Sequence, residues 1–101
     1  MSRYSLREIA EILHLQAEFL ESLRREDIIA PDVADPGAGD SCYSERMLER
    51  ARVAHELVDE LEVNLPGASV IVRLREEMVV LRQRVLILAR EVERTRGGAD
   101  R

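Results

Sequence analysis

The sequence predicts a mainly α fold: a winged helix-turn-helix head with a short two-stranded wing, followed by one long, coiled-coil-like helix. Three observations predict it. Apolar residues recur at helical spacing along most of the 101 residues. A run of turn formers, Asp35-Pro36-Gly37-Ala38-Gly39-Asp40, interrupts that spacing in the first half. A heptad pattern then extends from Ile71 to Val92.

Each element has a local reason. Ser5 and Glu8 have the spacing of a capping box, and Leu6, Ile9, Ala10 and Leu13 share one face, so a helix is expected over Ser5 to Leu13. Past His14 and Leu15 the apolar spacing resumes at Phe19, Leu20 and Leu23, which places a second helix from Gln16 to Glu26. The tight turn between them makes a helix-turn-helix unit. Ile28 and Ile29 are β-prone and Pro31 ends them; Cys42 and Tyr43 are expected to pair back across the turn formers as a wing. Ser44 is placed to cap a third helix, whose apolar face is Met47, Leu48, Ala51, Ala54, Leu57, Val58 and Leu61.

Asn64, Leu65, Pro66 and Gly67 break that pattern, and Pro66 falls near the first position of a new helix, where its missing N–H costs little. No further breaker occurs before Gly97. About thirty residues of helix span roughly 45 Å, more than a small head covers. The expected organisation is a head over residues 1–62, a long helix over 63–96 and a disordered tail over 97–101. Ile71, Leu74, Met78, Leu81, Val85, Leu88 and Val92 alternate three and four residues apart, the a/d seam of a coiled coil, so a homodimer is expected through them. Glu77 with Arg82, and Glu91 with Arg96, hold g and following e positions that suit a parallel pair. Val79, Val80, Leu86 and Ile87 form a second apolar strip, which also allows the helix to fold back on its own head.

Composition narrows the function. All fifteen basic residues are arginine, and twenty acids leave a formal net charge of −5. Residues 1–50 hold the whole deficit, with six Arg against eleven Asp or Glu. The second helix, which reads the duplex in DNA-binding relatives of this motif, carries Glu18, Glu21 and Glu26 beside Arg24 and Arg25, with Asp27 following. DNA is therefore not the expected ligand; Glu18, Glu21, Arg24, Arg25, Glu26 and Asp27 are the expected binding surface for a basic protein partner. One Phe, two Tyr and no Trp leave little for stacking on bases.

No enzyme, metal or cofactor is expected. In His55-Glu56-Leu57-Val58-Asp59, aspartate stands where the zinc-protease helix has its second histidine. Gly37 and Gly39 lead to Asp40 without the lysine of a phosphate loop. His14 falls in the interhelical turn and is read as structural. Cys42 is the lone cysteine and has no neighbouring cation, so it is read as a packed thiol in a reducing, cytoplasmic setting. The longest apolar run, Val85 to Ala89, is far short of a membrane span.

Two segments carry a family resemblance. The tyrosine-led Tyr4-Ser5-Leu6-Arg7-Glu8-Ile9-Ala10, the second helix and the wing ending in Tyr43-Ser44 resemble a MerR-type winged helix. The stretch Val63-Asn64-Leu65-Pro66-Gly67-Ala68-Ser69-Val70-Ile71-Val72-Arg73-Leu74 and the heptads after it are similar to a segment shared by chaperone-modulator (CbpM) proteins and HspR-type heat-shock repressors. DNA-binding members have arginine and tyrosine where this chain has Glu21 and Leu23, and glycine with paired arginines where it has Asp27 and Ser41-Cys42. The resemblance to the CbpM family implies a co-chaperone regulator that binds the J-domain of a DnaJ/CbpA-type protein and blocks its work with DnaK. The alternative it leaves is a MerR/HspR-like transcriptional regulator.

Overall fold

A computed structural model describes residues 2–32 and 42–99, with the elements β1 (Arg3–Tyr4), α1 (Leu6–Leu13), α2 (Ala17–Arg25), β2 (Tyr43–Ser44), α3 (Glu45–Asp59) and α4 (Leu65–Ala99). The helix starts follow the capping chemistry. Ser5 Oγ accepts from the Glu8 N–H while Glu8 accepts from the Ser5 N–H, both at 3.1 Å. Ser44 Oγ accepts from Met47 N–H at 3.3 Å, and Asn64 Oδ1 accepts from Gly67 N–H at 2.7 Å. A Cβ at Gly67 would lie 3.0 Å from both Asn64 Oδ1 and Val63 Cγ1, so glycine lets this cap close.

Two helices stop by the same device. His14 and Asp27 adopt left-handed backbone, with φ 56° at each. The following residue then reaches back across the last turn, Leu15 N–H to Ala10 O at 3.0 Å and Ile28 N–H to Leu23 O at 2.9 Å. The three-residue turn this makes between α1 and α2 completes the helix-turn-helix.

The sheet differs from the expected wing in its partner. β2 pairs antiparallel with β1, Arg3 opposite Ser44 and Tyr4 opposite Tyr43. Ile28 and Ile29 form no strand, because both N–H groups are spent on Leu23 O and both side chains are buried. Across the gap, Asp32 N–H donates to Cys42 O at 3.1 Å. The expected wing tip, Asp35 to Asp40, lies outside the described residues.

The core gathers Ile9, Leu20, Leu23, Ile28, Ile29 and Tyr43 with Met47, Ala51 and Ala54 of α3. Among the described residues α4 adds the buried Ala68 and Val72, with Leu65 partly buried against the core. Beyond them it leaves the head and gives the molecule its 62 × 38 × 20 Å extents. It runs to Ala99, and residues 100 and 101 lie outside the described set. Nor does α4 fold back: Val79, Val80, Leu86 and Ile87 are uncovered, because the hairpin with α3 sends the helix past the end of the head.

A charged clamp holds the angle at which α4 departs. Arg46 donates from Nε and Nη2 to Glu76 at 3.1 and 2.8 Å, and Arg50 does the same at 3.0 and 2.6 Å. Arg50 Nη1 also donates to Ile28 O at 3.1 Å, and Arg73 Nη2 to Asp27 O at 3.3 Å. Hydrogen bonds from Arg50 and then Arg46 hold the Glu76 carboxyl down at about 2, against a burial effect of opposite sign.

Two stability predictions follow from these contacts. His14→Gly removes the side-chain penalty of left-handed backbone and raises stability by about 0.5–1 kcal/mol, read by thermal denaturation. The folded chain binds the Glu76 proton less tightly than the unfolded chain at its ordinary 4.5. This stabilisation is complete above that value and is lost as pH falls towards about 2. Urea denaturation at stepped pH should therefore show a shallower acid limb in Glu76→Gln, and a cost of about 1–3 kcal/mol at neutral pH.

Candidate partner-binding surface

The amphipathic spacing of α2 buries Leu20 and Leu23 and turns its charged residues to solvent. Glu18, Glu21 and Arg25, three and four residues apart, share the outward face. Arg24 lies alongside with its Nη1 3.2 Å from Glu21 Oε1, so one of these acids is already paired. Exposed Glu26 and Asp27 belong to the turn that stops the helix, and the Asp27 carbonyl is taken by Arg73. The six expected residues thus form a mixed face and an acidic turn, four acids against two arginines. Beside them, Leu6, Arg7, Ala10, Ala17, Leu20 and Glu21 line a recess of about 200 Å³.

The seam on α4 is open. Ile71, Leu74, Met78, Leu81, Val85, Leu88 and Val92 are 37% to 63% exposed. An apolar face of this length is large for a chain with no partner. Met78, Leu81, Val85 and Leu86, with the stem of Arg82, shape a shallow apolar hollow along it.

Two groupings were not legible in the sequence. Arg46 and Arg50 of α3 meet Arg73, Glu76, Glu77, Val80, Leu81 and Arg84 of α4 around a cleft of about 440 Å³. Each half has helical spacing, but nothing local says that the two halves face each other. His14 and His55, forty-one residues apart, meet with Phe19 and Asp59 around a recess of about 320 Å³. There the His55 ring stands edge-on to Phe19, 5.5 Å between centroids. Among the described residues no three His, Cys, Asp or Glu side chains gather as metal ligands. Cys42 is half-buried.

The tyrosine-led α1, the helix-turn-helix, the β2–α3 join and the extended α4 are the features on which relatives can be compared. Chaperone modulatory protein CbpM of Coxiella burnetii strain Dugway 5J108-111 is 26% identical over 83 residues, covering 82% of this chain and 76% of that protein. The protein of that name from strain RSA 331 / Henzerling II matches equally. Residues 4–90 match the family described as MerR HTH family regulatory protein, and with most of its length in that match the chain belongs to this family.

Proposed function

We propose that the chain is a stoichiometric chaperone modulator: it binds the J-domain of a DnaJ/CbpA-type protein and inhibits that protein's activity with DnaK. The observation that carries this reading is the exposed face of α2. Where a duplex-reading helix needs surplus cations, residues 18 to 27 hold four acids and two arginines. The similarity to proteins named chaperone modulatory protein CbpM across 82% of the chain supports it. J-domains present a basic helix to their chaperone partner, and an acidic face competes for it through charge-assisted pairs and long-range steering.

The head spans residues 1–62 and α4 provides dimerisation. The open heptad seam supports two copies meeting through Ile71, Leu74, Met78, Leu81, Val85, Leu88 and Val92. The setting is the cytoplasm, and no described helix is long and apolar enough to cross a membrane. The second reading, a DNA-binding transcriptional regulator, is favoured by the match to a regulatory helix-turn-helix family.

Calorimetric titration with an isolated J-domain separates the two readings. The modulator reading expects one J-domain bound per chain, about tenfold weaker binding in Glu18→Arg/Glu21→Arg, and affinity that falls with salt. A sequence-specific gel shift with no J-domain binding would establish the regulator instead. Sedimentation equilibrium tests the dimer: Leu81→Asp/Leu88→Asp should sediment as a monomer with the head's circular dichroism and thermal unfolding intact.

A further inference from the structure

We infer that the cleft between the start of α3 and the middle of α4 is a second docking site, which takes an acidic, amphipathic peptide segment of a partner protein. Its lining residues are distinct from those of the α2 surface, which it meets at the bond from Arg73 to the Asp27 carbonyl.

The charge of the cleft runs against that of the chain. Four guanidiniums and two carboxylates line it, a surplus of two positive charges in a protein of net charge −5. One carboxylate, Glu76, is already saturated by Arg46 and Arg50, which together bring twice its charge. Those two arginines of the α3 wall therefore share one anchor, Arg50 largely buried and Arg46 at the surface. On the other wall Arg73, Glu77, Val80 and Arg84 fall four, three and four residues apart, one stripe of α4. Neither Arg73 nor Arg84 forms an ion pair among the described residues; Arg73 donates once, to a backbone carbonyl.

The occupant follows from this lining. Guanidinium forks match the planar geometry of carboxylates. Val80 and Leu81, each about half exposed, offer an apolar floor between Arg73 and Arg84. A peptide with acidic residues flanking an apolar one satisfies both. A nucleic-acid backbone brings no apolar group to that floor. Within the heptads Leu81 holds a d position and Glu77 and Arg84 hold g positions, so dimerisation through the seam borders the cleft along that edge and leaves its α3 wall, Arg73 and Val80 open.

The test is fluorescence anisotropy on the full chain with a short labelled peptide of alternating Asp-Glu and Leu, and its Lys-Leu counterpart as control. Arg73→Glu/Arg84→Glu should weaken binding of the acidic peptide by more than about tenfold, and Arg73→Gln/Arg84→Gln by less. Glu18→Arg should leave it unchanged, and Arg73→Glu/Arg84→Glu should not weaken binding of the control peptide, whose basic residues suit the acidic face of α2. Circular dichroism confirms the fold of each variant. The inference is overturned if the acidic peptide fails to bind the wild type, or binds the charge-reversed variant equally well. It is also overturned if a DNA duplex displaces the peptide and loses its own binding in that variant, or if the variant changes the oligomeric state, which would give the cleft to nucleic acid or to a second copy.

Discussion

A helix of 35 residues is attached to a head that covers only its first two turns. At 1.5 Å per residue α4 is roughly 50 Å long. Among the described residues Ala68 and Val72 are its buried side chains, and small or β-branched residues there let α3 pack close. From Arg73 onward the helix has no apolar cover within the described chain, yet its sequence keeps Leu, Val, Ile and Met at regular intervals. Burial of that surface is a hydrophobic gain still open to the molecule. The direction in which α4 leaves the head decides where any second chain sits.

That direction is set where helices, turn and clamp meet. Asp27 and Ile28, the residues that stop α2, give their carbonyls to Arg73 of α4 and Arg50 of α3. Arg50 in turn shares Glu76 with Arg46. A rotation of α4 about its exit point must break these bonds together, and it would leave Arg50, with its largely buried side chain, uncompensated. The acidic turn beside α2 and the exposed helix are thus parts of one rigid corner. This bears on the proposed modulator, since a partner held at α2 and a second copy held at α4 have a fixed relation to each other.

Much of the head was legible in the sequence because its signals are local. The Ser5–Glu8 box and the Ser44 cap each depend on residues within a few positions of one another, and each side chain stands as its spacing implies. The sheet was not legible in the same way. Two-residue strands carry no alternation to read, and the partner of Tyr43 is Tyr4, thirty-nine positions away. Ile28 and Ile29 have the composition of a strand, but the left-handed turn at Asp27 commits their amides to α2. Likewise the net charge of residues 18–27 could be counted, whereas the Glu21–Arg24 pair that mutes part of it appears only once the rotamers are known.

The exclusive use of arginine acquires a structural meaning at the same corner. Lysine offers one ammonium and could meet Glu76 at a point, but not along both carboxylate oxygens while also reaching the Ile28 carbonyl, as Arg50 does from one planar fork. Arg46 repeats the two-bonded geometry from one turn earlier, so a single carboxylate organises two guanidiniums. Ordered in this way they no longer need water or a flexible partner to hold their shape, and the ordering cost of a surface ion pair has been met in folding. In the proposed docking cleft, guanidiniums ordered by Glu76 stand beside Arg84, which forms no ion pair among the described residues, and that ordering is what separates the cleft from arginines merely solvated on a surface.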